Sequence, residues 1–342
     1  MMKTKIRKGL LMMPFIVLSQ LLFAAGGGEQ TPGAGQPVII KLASMVPEAT
    51  PWGELLNNMA ADWKTISNGE VELVVYHGVS NDEQSLLRQL NQNQIQIAMF
   101  STWGLKQIAP EIMTLSCPFL IRTDEELQAV LDVELPIMEE KISAKGYRAL
   151  AWSQIGWVYF FSRKPVFVPA DLKPQRLGTL EAEPEIADVF KTLGYNIVPI
   201  AQNQILVSLT GGQIDAVYNH VANAASAQIF AIAKNMASIH VAPLLGAILM
   251  NPRAYNMIPE KYRDAIFERT RELEAGLKSQ VDALESSIID TMLEYGLVIN
   301  QVSPEQSQVW YDEIDAVLPG FMGNLFDQET YNTVQNIVKK YR

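Results

Sequence analysis

Two rhythms of apolar residues alternate along this chain. Residues 38–43 (VIIKLA), 70–76 and 95–100 are short apolar runs of strand length, rich in Val and Ile. Between the first two, Trp52, Leu55, Leu56, Met59, Ala60 and Trp63 recur at helical spacing through residue 66. Residues 85–91 predict a further helix. Strand and helix in turn predict an α/β domain with a largely parallel sheet. Ligands of such sheets sit in the loops off the strand ends. Here those loops are residues 45–51, carrying Val46, residues 77–82, carrying Val79, and residues 101–105, carrying Trp103.

The pattern then begins again. A helix over 123–145 leads to an apolar strand at 148–152, and WVYFF at 157–161 predicts a buried strand. Trp157, Val158 and Tyr159 within it line either a cleft floor or plain core. After a Pro-rich connection, 184–193 predicts a helix and 196–200 a strand. Residues 202–209 predict a helix stopped at Gly211-Gly212, and 214–218 a strand. A second βαβ series implies a second domain. Tyr218 ends its last strand and Asn219 follows it, and alternation turns only one of them to the cleft. The longest helical pattern, 259–299, is long enough to cross both domains at roughly 50 Å. The alternative is two helices divided at Gly276. Helices are also expected over 304–317 and 328–341.

Composition narrows the function. The 342 residues are 48% apolar and 19% charged, with a net charge of −10. An acidic body argues against nucleic acid and anionic lipid as partners. Lys3, Lys5, Arg7 and Lys8 precede an apolar run from 9 to 23 that ends in Ala24-Ala25-Gly26. This predicts a secretory signal over 1–25, since about 15 apolar residues fall short of a span of ~20. An uncleaved anchor is the alternative. Residues 26–37 predict a flexible tether. The one cysteine, Cys117, sits among apolar neighbours and is expected as a buried small hydrophobe. His77, His220 and His240 are scattered, and no phosphate-binding, nucleophile-elbow or zinc-protease motif occurs. No catalytic set, metal site or cofactor is expected.

The segment KPVFVPADLKPQRLGT, residues 164–179, carries the functional signal. So do the loop through Pro51-Trp52-Gly53, SCPFLI at 116–121, AKGYRALAW at 144–152, SLTGGQIDAVYN at 208–219 and IPEKYRDAI at 258–266. In this order they resemble the solute-binding subunits of TRAP transporters (tripartite ATP-independent periplasmic transporters). The resemblance runs over roughly residues 38–300. It implies two α/β domains around a cleft, joined by a hinge and a long helix. The first is 38–160 plus 246–287 and the second 161–245 plus 288–342. It also implies a periplasmic receptor that closes on a small molecule and delivers it to membrane permease subunits.

The resemblance also marks departures. The family Arg that grips a substrate carboxylate falls on Gly178. Arg176 lies two residues earlier on the same strand face, at a position that usually faces away from the ligand. A second family Arg falls on Val158 or Trp157, depending on the alignment. Asn219 matches a ligand-contacting Asn, or else ends the strand as a turn residue. Glu83 matches a recurrent Glu that holds a loop, caps a helix or touches ligand. Without a paired donor a buried carboxylate is disfavoured, so a hydrophobic or neutral ligand is expected. A small family subset pairs its receptor with a TPR-repeat protein, and the altered pocket admits such a partner. The alternatives are a secreted enzyme on a binding-protein fold and a scaffold that has lost its ligand.

Overall fold

The computed structural model describes residues 36–79 and 82–342. The signal over 1–25 and nearly all of the 26–37 tether lie outside the described residues. Among the described residues no helix is long and apolar enough to cross a membrane.

Among the described residues ten strands form one sheet: β1 Val38–Ala43, β2 Val71–Tyr76, β3 Ile97–Ser101, β4 Arg148–Ser162, β5 Arg176–Leu180, β6 Asn196–Ile200, β7 Ala216–His220, β8 Asn235–Ala237, β9 Ala242–Met250 and β10 Val298–Asn300. Their order is β2-β1-β3-β9-β4-β7-β5-β6, with β8 on β4 and β10 on β8. β1 runs parallel to β2 and β3, and β5 runs parallel to β6 and β7. These two parallel blocks are the two βαβ series of the sequence. The centre is different: β9 is antiparallel to both β3 and β4, and β4 is antiparallel to β7. The sheet is therefore mixed. Every residue of β9 is buried, so the strand carries no alternation of apolar and polar positions.

The apolar runs expected as two strands at 148–152 and 157–161 are one strand, β4. Its register against β9 shifts at Ala149/Ala151 and at Gln154/Gly156. Gly156 has φ +144, a conformation open to glycine, and such bulges bend a strand.

The long helical pattern is two helices, Glu260–Ala275 and Leu277–Glu294, meeting at Gly276. The first packs on the helix Pro51–Ile66 and on β4. The second packs on β4 and on the helix Val221–Ser226 beyond β7. Together they still reach from one parallel block to the other. Trp63 Nε1 donates to Thr270 Oγ1 at 3.2 Å, fixing the first of these contacts inside the core. One core cluster gathers Ile40, Leu56, Trp63, Ile97, Ile248 and Ile266. The larger one gathers Phe119, Phe160, Phe190, Leu177 and Trp310. Cys117 is fully buried there, and burial pushes its thiol well above the usual range, leaving it an inert packing group.

Candidate ligand cleft

The carboxyl ends of β5 and β7 open onto a cleft of about 550 Å³, part of it continuous with solvent. Val158 of β4, Leu180 of β5, and Tyr218, Asn219 and His220 of β7 form its floor and one wall. Trp103, from the short helix Thr102–Leu105 after β3, faces them. The start of β9, Ala242 to Leu244, closes another side. Among the described residues, no Lys or Arg lines it.

The polar centre of the cleft is Glu183, in the turn after β5 and only 5% exposed. The Tyr218 hydroxyl donates to its Oε2, and the Trp103 side chain is a second hydrogen-bond partner. Burial pushes the Glu183 carboxyl up to about 7, against the pull of these two bonds and of the Lys106 charge. Lys106 itself is held elsewhere, donating to the Ala182 carbonyl at 2.8 Å and to Glu185 at 3.2 Å. Burial pushes His220 down to about 4, so its ring is neutral, and its Nδ1 is buried without a partner among the described residues.

The geometry explains Gly178. A Cβ at this position would lie 2.8 Å from both Ile200 Cδ1 and Ile214 Cδ1. The space that a larger side chain would need is filled by apolar packing from β6 and from the approach to β7. Gly178 does not line the cleft. Nor does Arg176, whose Nε and Nη2 donate to Asp215 Oδ2 and Oδ1 at 2.7 and 2.8 Å. That bidentate pair holds the Asp215 carboxyl below its usual range.

Pleating separates the aromatic run on β4. Val158 reaches the cleft, while Trp157 and Tyr159 turn to the other face. Trp157 stacks on His240 with centroids 4.1 Å apart, and its Nε1 donates to Asp124 Oδ1 at 3.1 Å. Tyr159 donates to Glu285 Oε1 at 3.1 Å. Both Tyr218 and Asn219 border the cleft, contrary to the expectation of one, because β7 ends there and the chain turns into a helix. Asn219 Oδ1 accepts from the His220 amide at 2.9 Å and from Asn223 Nδ2 at 3.0 Å, so it also builds that turn. Glu83 fastens the end of β3, accepting from the Ser101 amide at 2.6 Å and hydroxyl at 2.9 Å. Val46 and Val79 lie away from the cleft. Val46 packs at the edge of the smaller core cluster, and Val79 is exposed.

A smaller concavity, about 230 Å³ with open solvent counted, shares His220 with the cleft. Trp52, Ile155, Val281, Leu284 and Glu285 line it. Sequence reasoning passed over Glu183, His220 and Gln202 as ligand contacts; His220 ends β7, and Glu183 and Gln202 follow β5 and β6 by a short turn. The rule that ligands gather at strand ends is the signal that would have flagged them.

The model of the DctP family, bacterial extracellular solute-binding protein family 7, matches residues 42–324. The 2,3-diketo-L-gulonate-binding periplasmic protein YiaO of Escherichia coli is 25% identical over 68% of this chain and 72% of its own length. A TRAP periplasmic solute-binding protein of Sulfurospirillum deleyianum, solved with bound succinate, superposes with a TM-score of 0.76 at 22% identity. That match covers 87% of this chain and 98% of the other. A TRAP periplasmic solute-binding protein of Chromohalobacter salexigens, solved with bound D-glucuronate, gives 0.76 at 20% identity, over 88% and 99% of the two chains. With the two parallel blocks, the shared central strands and the cleft at the strand ends, the chain belongs to the DctP-type bacterial extracellular solute-binding proteins of family 7, the periplasmic receptors of TRAP transporters.

Proposed function

We propose that this protein is the extracytoplasmic receptor of a TRAP-type transporter for an uncharged or hydrophobic solute, which it delivers to membrane permease subunits. The observation that carries this reading is the chemistry of the cleft. Among the described residues its lining holds no Lys or Arg, the position of the family Arg is a glycine packed against Ile200 and Ile214, and the charged candidate in its wall is an acid. The proteins of similar fold named above hold succinate and D-glucuronate, both acids. A buried carboxylate needs charge-assisted donors, and Glu183 opposes one. Apolar area from Val158, Leu180, Ile186 and Leu244 supplies binding instead, at about 25 cal/mol per Å² removed from water.

Closure in this reading swings 38–160 with 246–287 against 161–245 with 288–342, bending β4 and β9 near the bulges. The leader over residues 1–25 carries the chain to the periplasm, and a TPR-repeat protein is a candidate accessory partner.

Mass spectrometry of small molecules released on denaturing the purified protein tests the reading. An uncharged or apolar compound at near-stoichiometric yield is expected. Recovery of a dicarboxylate or sugar acid, with matching tight binding on re-addition, would overturn it.

A further inference from the structure

Glu183 is the acidic residue in the cleft lining, and its place there has a specific consequence. We propose that Glu183 sets ligand choice by pairing with a hydroxyl group on an otherwise apolar, uncharged solute and by excluding carboxylates. The inference rests on the reading of this cleft as the receptor's ligand site.

The geometry supports it in three ways. First, the carboxyl group is fixed before any ligand arrives. Tyr218 and Trp103 hold it from two sides. A carboxylate offers about four acceptor positions, so two protein donors leave capacity for a ligand. Secondly, among the described residues no cation hydrogen-bonds to it: Lys106 acts on it only at a distance and is engaged by Glu185 and by the Ala182 carbonyl. A ligand carboxylate beside it would form a like-charge pair in a buried site, which raises the cost of ionising either group. Thirdly, the surroundings suit an alcohol better than an ammonium ion. Burial lifts the Glu183 carboxyl toward neutral pH, so both protonation forms are accessible there. A hydroxyl donates to the ionised form and accepts from the protonated form, whereas an ammonium pairs only with the first. His220, which lines both this cleft and the smaller cavity, has its Nδ1 buried without a partner among the described residues. Val158, Leu180 and Ile186 then receive the apolar remainder.

The test is calorimetry on the full chain after removal of any retained ligand. The probes are a medium-chain alkanol and the alkanoate and alkylammonium of the same chain length. The wild-type protein is expected to bind the alkanol about tenfold or more tightly than either ion. Glu183→Gln, which keeps an acceptor and removes the charge, should lose most of the discrimination against the alkanoate. Glu183→Leu should lose alkanol affinity by about tenfold. The wild-type ordering needs no variant to fold. An alkylammonium or alkanoate that binds wild type best overturns the proposal. So does equal alkanol binding by wild type and Glu183→Leu, an outcome that leaves the receptor reading intact. If none of the three binds, the proposal falls. If a sugar acid is recovered from the purified protein as well, the proposed function falls with it.

Discussion

The two ends of β5 treat charge in opposite ways. At its amino end Arg176 is half-exposed and spends its fork on Asp215, a neighbour in the same half of the molecule. Just past its carboxyl end Glu183 is buried and has hydrogen-bond donors but no cation bonded to it. Between them Gly178 leaves room only for two isoleucine side chains. One short segment therefore keeps its cation where water screens it and places its acid where a solute would lie. The strand, its register and its packing belong to the family frame, while the polarity of the site is a local matter of a few side chains.

The sharpest way to break this contrast is to restore the cation. Gly178→Arg would force a Cβ to 2.8 Å from Ile200 and Ile214 and bury a guanidinium in apolar packing. The expected cost is roughly 3–5 kcal/mol in urea unfolding. A variant as stable as wild type that gains dicarboxylate affinity would show that the frame still has room for the family chemistry.

The acidic end is tested next by pH. Glu183 rises from 4.5 to about 7 on folding, so the native state holds this proton more tightly than the unfolded chain. Its contribution to stability is then present at low pH and falls by roughly 3 kcal/mol as pH rises from 4.5 to 7. His220 drops from 6.5 to about 4. Its contribution is present above 6.5 and is lost as pH falls toward 4. The two slopes oppose each other where their windows overlap. Glu183→Gln removes one, so unfolding followed across pH should show the variant losing stability on acidification more steeply than wild type. Parallel profiles would mean that Glu183 is not held as the structure implies.

A smaller change sharpens the same end. Tyr218→Phe removes one donor from the buried carboxyl and is expected to cost about 1–3 kcal/mol by thermal or urea unfolding. The smallest effect belongs to the other end. Arg176→Ala should barely shift the melting temperature, because an exposed pair is screened by solvent, and should leave ligand retention unchanged. A large loss of ligand in that variant would give Arg176 the role that its bond to Asp215 argues against.

The periodicity of the chain made both parallel blocks legible, together with most of their helices. β9 was not, because a strand buried on both faces has no period to detect. β4 read as two strands because Gln154 and Gly156 interrupt its apolar run at the bulge. Of the residues named from strand ends and from the resemblance, Trp103, Val158, Tyr218 and Asn219 border the cavity at the ends of β5 and β7. Trp157 and Tyr159 face away from it, since alternation says that neighbours on a strand differ but not which of them faces the cleft. Glu183 escaped because its environment is tertiary. It meets Tyr218 from 35 positions away, and nothing adjacent in the sequence marks that encounter.

The pairing of β3 with β9 also governs when this protein can fold. Ile97 lies opposite Met250, and Thr102 Oγ1 bonds the Leu245 carbonyl from 143 positions away. The smaller core cluster is completed by Ile248, Ile266 and Val281. A ribosome releases the early strands long before those partners exist, and such distant contacts form slowly. The first half of the chain therefore cannot complete its core until most of the second has been made, so the order of synthesis sets a late limit on when the fold can close.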